Sequence, residues 1–449
     1  MTTFQKVGSG YTFNSRWSGH QIDASISRLM PTREDGLKAQ IAVLMDDTPI
    51  CRSSPTLTSV SGMDQFWRKL NRRRNNDDYG VDWEAWVEEL AGRVLDAHRQ
   101  GQPEIAVADL WDNQSEADIW LVEPFVLRGS HNVLYGDPGT AKSMMALFWA
   151  TLMDTGHIDS SAHGLATSRA HCLYLDWETT QEEAVRRLRW LHEAMGISAP
   201  SGVLYRYCTQ PLVAEVDRIQ DIIQRRWGGD DTPVVIICDS QGLATGGRLV
   251  DEEQVISYFA ALRTLTEAEA DTSLSITHTN KDGGLFGSQY TLAAARNLWE
   301  IKRSSLSRGQ IDVGLFHRKA NTVGLSGPRA YQLTFNANAE TKKTASVSIT
   351  SKRVMDTEVA PQGLSVPELT YQVVRAEGPL RRDELPALVA EYKEVRVEKI
   401  QAAVLVALSR HLKGGRLLEE DGMIKMPPSP SGNNQPKAEQ EGDLWTTTI

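Results

Sequence analysis

The spacing of apolar positions changes period several times along the chain. Up to about residue 60, short alternating runs such as 39–44 are separated by turn residues (Gly8, Gly10, Pro31, Gly36), which predicts a small, mostly β segment. Between Met63 and Arg99 the period becomes helical, with Phe66, Trp67 and Leu70 and then Trp83, Trp86, Val87, Leu90 and Val94 at three-and-four spacing. Residues 111–127 read as a strap into a larger segment. There, strand-like runs at 132–135, 171–176, 202–208, 234–239 and 273–278 alternate with helical periodicity at 142–153, 181–194, 213–227 and 252–269. Such alternation requires parallel pairing with helices on both faces, because each crossover returns the chain to the same end of the sheet. In that α/β architecture ligands bind at the carboxyl ends of the strands.

After Ala295 the texture changes to short β-rich runs at 297–302, 310–316, 329–335 and 344–351, a meander closing the sheet. Beyond the breaker A-P-Q-G at 360–363, helical patterns at 367–376, 382–392 and 395–411 precede a hairpin turning at Asp421 and Gly422. Three helices and a hairpin suggest a winged-helix-like domain. Residues 395–413 are only mildly basic, so this domain reads equally as a DNA reader or a protein contact. The Pro, Ser, Asn and Glu-rich end predicts a disordered tail. The expected division is an N-terminal β plus helical segment at 1–119, an α/β core at 120–358, the winged-helix-like domain at 364–427 and the tail at 428–449.

Composition narrows the class. With 41% hydrophobic and 24% charged residues the chain reads as soluble and globular. No apolar run approaches the ~18 residues of a membrane span, and the N-terminus lacks a secretion signal's apolar core, so a cytoplasmic protein is expected. Cys51, Cys172, Cys208 and Cys238 lie far apart and read as buried thiols. A net charge of −10 argues against a surface coated for duplex DNA and leaves room for a local basic channel. The basic run at 69–74 is either a nucleic-acid contact or a solvated helix end.

The chemistry concentrates at residues 131–146, H-N-V-L-Y-G-D-P-G-T-A-K-S-M-M-A. An apolar strand breaks into a loop of Gly136, Asp137, Pro138, Gly139, Thr140 and Ala141, and Lys142, Ser143 and Met144 open a helix. Glycines let backbone N–H groups turn inward around a polyphosphate, the lysine reaches the β- and γ-phosphates, and the serine hydroxyl ligates Mg²⁺. The helix N-terminus adds partial positive charge. ATP and Mg²⁺ are the cofactors this predicts. Ala141 replaces the usual glycine before the lysine; its methyl restricts the backbone without removing the cradle.

A second signature is V-V-I-I-C-D-S at 234–240, an apolar strand delivering Asp239 where a carboxylate orders Mg²⁺ and its waters. No glutamate follows it, so the water-activating base must come from elsewhere. The run L-Y-L-D-W-E at 173–178 offers Glu178, with Asp176 as a second candidate. The alternative role for Glu178 is a charge favourable to the next helix dipole. The end of the fifth strand, I-T-H-T-N-K at 276–281, places His278 either as a γ-phosphate sensor or as a hydrogen-bonded surface residue.

Together, G-D-P-G-T-A-K-S, L-D-W-E, V-V-I-I-C-D, T-H-T-N-K, A-A-A-R-N-L-W and R-K-A-N-T-V-G resemble the RepA-like hexameric replicative helicases, which are RecA-like P-loop ATPases, over roughly residues 120–335. The octet is also similar to the phosphate loop of minichromosome-maintenance helicases, which carry alanine at the same place. The resemblance implies a RecA-like fold, ATP hydrolysis and a homo-oligomeric ring, expected to be hexameric, that translocates on single-stranded DNA in replication. The family's paired sensor histidines correspond to Thr277 and His278, its Arg-Gly-Ser loop to Phe286, Gly287 and Ser288, and its Lys-Ala-Asn-x-Gly segment to Lys319, Ala320 and Asn321, with Gly324 one residue late. Its arginine finger maps to Arg296, which in that role completes a neighbour's site; the alternative is an ion pair within the chain. Residues 281–290, with Lys281, Phe286 and Tyr290, and residues 242–248 are the candidate single-strand contacts, or nucleotide-gated loops that touch no nucleic acid. The expected function is a ring-forming DNA helicase. The alternative is an ATP-dependent assembly switch or scaffold, as in recombination mediators or defence assemblies, which the modest basicity and the lost loop arginine favour.

Overall fold

The computed structural model describes residues 2–7, 10–31, 36–73, 80–100, 119–156, 163–247, 249–268, 270–280, 284–287, 289–305, 309–359 and 363–428. Arg74, the strap residues 111–118, Arg248, Lys281, Ser288, the breaker residues 360–362 and the tail from 429 onward lie outside the described residues. The chain divides into two compact units, one of Met1–Ala117, Ala214–Asp230 and Arg263–Glu269, the other of Asp118–Val213, Asp231–Leu262 and Ala270–Ile449.

In the first unit β1 (Thr3–Val7), β2 (Gly10–Trp17), β3 (His20–Pro31), β4 (Leu37–Met45) and β5 (Thr48–Ser53) form an antiparallel meander in sequence order. β4 alternates as a half-buried strand must, with Leu37, Ala39, Ile41, Val43 and Met45 inward. These share one core with Phe66 and Leu70 of α1 (Val60–Arg73) and Trp83, Trp86 and Leu90 of α2 (Trp83–Gln100). The buried Trp86 indole donates to Ser15 Oγ at 2.8 Å, which satisfies its polar edge.

After a small ribbon of β6 (Trp120–Val122) and β7 (Val126–Leu127), the chain runs through β8 (His131–Gly136), α3 (Lys142–Thr155), β9 (His171–Asp176), α4 (Gln181–Met195), β10 (Leu204–Tyr207), α5 (Leu212–Trp227), β11 (Val234–Asp239), α6 (Gln241–Ala244), α7 (Glu252–Ala268), β12 (Thr272–His278) and α8 (Gln289–Ala294); most of α5 and the end of α7 belong to the first unit, the other elements to the second. β13 (Asn297–Ser305), β14 (Gln310–Ala320), β15 (Arg329–Ala337) and β16 (Thr344–Lys352) follow. The sheet order is β10-β9-β11-β12-β8-β13-β14-β15-β16. Pairing is parallel from β10 to β13 and antiparallel beyond. This large, mostly parallel sheet fits a P-loop NTPase core. β13 and β14 run past their expected ends, where charges that look solvent-facing are paired: Glu300 of β13 meets Arg318 of β14 across the two strands and Lys302 along its own strand.

The chain then forms α9 (Val366–Glu377), β17 (Leu380–Arg381), α10 (Leu385–Tyr392), α11 (Val397–Lys413), β18 (Leu418–Glu420) and β19 (Met423–Lys425), with the three short strands in one sheet ordered β17-β19-β18. Their core takes in Phe316 of β14. The entry is tight: a Cβ at Gly363 would lie 1.9 Å from the Phe316 ring, so only glycine passes. The four cysteines are buried thiols. Among the described residues no helix is long and apolar enough to cross a membrane.

α3 is buried from Met144 to Met153, as a helix between covered faces must be. Phe125 stacks on Trp149 of α3 at 4.8 Å and meets Trp299 of β13 edge-on at 4.6 Å and Tyr331 of β15 at 6.1 Å. α4 packs against β16, with Leu188 and Leu191 in one core with Val347 and Ile349, so the antiparallel extension rolls back onto the helix that follows β9. Because Phe125 joins helix, parallel ladder and antiparallel extension, Phe125→Ala is expected to cost about 3–5 kcal/mol, read as a lowered midpoint in urea unfolding.

Candidate nucleotide site

The carboxyl ends of β8, β9, β11 and β12 lie side by side: His278 pairs with Gly136, and Asp239 pairs with both Asp176 and Ile276. Gly136 ends β8 between two ladders, and a Cβ there would lie 2.3 Å from the Ile301 carbonyl oxygen. The loop turns at once. Thr140 Oγ1 donates to the Asp137 carbonyl at 2.8 Å, Gly139 sits at φ +75°, and Ala141 at φ +67°, the left-handed region a side chain disfavours. Lys142 is buried, and its ammonium donates to the carbonyls of Gly136 at 2.9 Å and Asp137 at 2.8 Å. Asp137 and Pro138 are exposed, whereas Met144 belongs to the core, so only its backbone faces the loop.

Around this loop the predicted side chains converge. His278 Nδ1 lies 3.4 Å from Lys142 Nζ, and its Nε2 lies 3.6 Å from Glu178 Oε1. The Glu178 carboxylate also accepts a hydrogen bond from Ser240 Oγ. Its contact with His278, then that with Ser240, hold it below the usual carboxylate range against the opposing effect of burial. Asp239 is buried, accepts from Tyr174 Oη at 2.6 Å and is hydrogen-bonded by Ser143; burial raises its pKa while these two bonds oppose the rise. The Asp239–Ser240 peptide bond is cis.

Asp176 has different work. Its Oδ1 accepts from the backbone N–H of Glu178 at 2.7 Å and of Thr179 at 2.9 Å, while Oδ2 takes Thr179 Oγ1 and Tyr205 Oη. It therefore builds the turn that aims Glu178. Thr179, three residues on, carries the signal for such a turn. Ser240, Tyr174 and Thr279, whose hydroxyl donates to Asp137 Oδ1, were not read from the sequence; each is a common polar residue with no distinctive spacing.

Arg296 is not brought to this cluster. It precedes β13, whose first residue pairs with Asn132 and whose Ile301 pairs with Gly136, so Arg296 lies at the amino end of the sheet, about 16 Å from the loop at ~3.3 Å per residue. Beside it Lys319 caps α8, donating to the carbonyls of Leu292 at 2.5 Å and Ala295 at 2.8 Å. The first candidate loop packs beside the residue that follows the second: a Cβ on Gly287 would lie 2.8 Å from the Leu249 carbonyl, and the Phe286 N–H donates to the His278 carbonyl at 3.0 Å. Phe286 and Tyr290 are exposed.

The donor set fits a nucleotide with Mg²⁺. Loop amides, the Lys142 ammonium and the α3 N-terminus suit phosphates, and the adjacent Ser143 hydroxyl and Asp239 carboxylate suit a hexacoordinate metal that keeps its waters. Residues 98–284 match the family model of an AAA domain, which supports a P-loop ATPase family and points to ATP binding and hydrolysis in general. No curated protein matches the chain.

Two outcomes follow from the loop. Ala141→Gly relieves the left-handed strain and is expected to stabilise the chain by roughly 0.5–1 kcal/mol, whereas Ala141→Val, β-branched at positive φ, lowers the melting temperature. Burial also lowers the Lys142 pKa from 10.5 to about 8 against the pull of Asp239, Glu178 and Asp137. Between pH 8 and 10.5 the unfolded chain thus holds a proton that the folded chain has lost, so this residue makes stability rise with pH across that window. Without nucleotide, wild type should gain on Lys142→Met by on the order of 3 kcal/mol from pH 8 to 10.5, read from melting curves.

Proposed function

We propose that the chain is an ATP-hydrolysing, RecA-like motor that works as a homo-oligomeric ring, hexameric by resemblance, and translocates on single-stranded DNA as a helicase. The observation that carries this reading is the hydrogen bond from Phe286 N–H to the carbonyl of His278. It ties the residue beside Lys142 and Glu178 directly to a loop with exposed aromatic rings, on which bases can stack. A change at the γ-phosphate would then move the rings.

In this reading the amides of residues 136–143 and Lys142 hold the phosphates. Ser143 and Asp239 would hold Mg²⁺, which would supply charge neutralisation on the phosphate oxygens. Glu178, kept ionised by His278 and Ser240, accepts the proton of the attacking water. His278 senses the γ-phosphate. Arg296, too far from its own loop, serves a neighbouring protomer, a contribution worth roughly 10³–10⁵ in rate. We assign residues 364–427 as a winged-helix-like module.

The second reading, an assembly switch, is favoured by the outer face of α11. Leu405 and Val406 are exposed there beside Ala402 and Ala403, which suits a protein partner better than a phosphate backbone. ATPase rates with and without single-stranded DNA at several salt concentrations separate the two. Stimulation that fades with salt is expected of the motor, and indifference to DNA selects the switch. Mixing Arg296→Ala with Glu178→Gln chains should restore part of the lost turnover, and no recovery would remove the shared site.

A further inference from the structure

A second arginine of β13 lies at the opposite end of that strand from Arg296. Ile301 pairs with Gly136, and Arg303, two residues on, projects from the same face of the sheet past the end of β8. Its guanidinium lies against the phosphate loop: a Cβ built on Gly139 would be 3.7 Å from Cζ, Nη1 and Nη2 alike. Three equal distances mean that the face of the group, rather than its edge, is turned to the loop. Gly139 sits at φ +75°, where a side chain is disfavoured, so this face of the loop remains open to the guanidinium.

The neighbouring cations are already engaged. Glu300 pairs with Lys302 at 3.4 Å and with Arg318 at 2.5 Å. Arg303 is exposed, and among the described residues no carboxylate pairs with it. A permanently charged fork beside a phosphate cradle suits bidentate contact with phosphate oxygens. Its side of the sheet is also informative. Glu178, Asp239 and His278 come from β9, β11 and β12 on one flank of β8, whereas β13 is the other flank.

We infer that Arg303 is a nucleotide-binding residue of its own chain, gripping the phosphates common to ATP and ADP from the flank opposite the hydrolytic residues. This rests on the nucleotide site proposed above. Arg303 thus acts on ground-state binding in the same protomer, where Arg296 acts on turnover in the next.

The test is calorimetric titration of the full chain with Mg²⁺-ADP and with a non-hydrolysable Mg²⁺-ATP analogue. Arg303→Ala should weaken both by the same factor, roughly tenfold or more, and raise KM for ATP while kcat at saturation changes by less than about twofold. Arg303→Lys should recover part of the affinity. The melting temperature without nucleotide should match wild type; if Arg303→Ala melts lower, Arg303→Gln, which keeps the packing stem, carries the comparison. Unchanged affinity for both ligands overturns the inference. Loss confined to the ATP analogue also overturns it, because the contact would then be with the γ-phosphate. Binding lost in Lys142→Ala but kept in Arg303→Ala removes only Arg303, whereas a wild-type chain that takes up neither ligand removes the nucleotide site as well.

Discussion

The close passage of backbone at Gly136 is the constraint from which the site follows. β8 ends there between β12 and β13, paired with His278 on one side and Ile301 on the other. The Ile301 carbonyl occupies the space of any side chain. The chain has no room to spread, so it reverses immediately, and the ammonium of Lys142 returns to the carbonyl at which the loop began. A larger residue at 136 would push the two ladders apart before the loop could form.

The polar groups gathered at that end of the sheet also hold one another. Asp176 is consumed by the turn after β9, and this fixes Glu178 within reach of Ser240 and His278. Tyr174, one strand over, meets Asp239. A buried carboxylate is tolerated only with such partners.

What was legible in the sequence divides along local and non-local lines. β9 and β11 could be bounded to the residue because strands covered on both faces are unbroken apolar runs, and the loop could be placed because its glycines, lysine and serine are contiguous. β10 is shorter than its pattern because it is an edge strand with half-buried positions. The left-handed conformation of Ala141 has no sequence signal, since alanine there reads as an ordinary helix former. Arg303 was missed because its place over Gly139 depends on the register of β13 with β8, a pairing between segments some 165 residues apart, as in the Asn132–Asn297 hydrogen bond. The return of β16 to α4 is non-local in the same way.

That sheet order has a bearing on how the chain is made. The stretch similar to an AAA domain ends at residue 284, and in a nascent chain of that length β8 has β12 on one side and nothing on the other. The strand that carries the phosphate loop is then an open edge, with donors and acceptors presented to any passing strand. It is covered only when β13 leaves the ribosome, and α4 gains its far neighbour only after Lys352 has emerged. Translation must run past the AAA-like stretch before that stretch is protected from pairing with other chains.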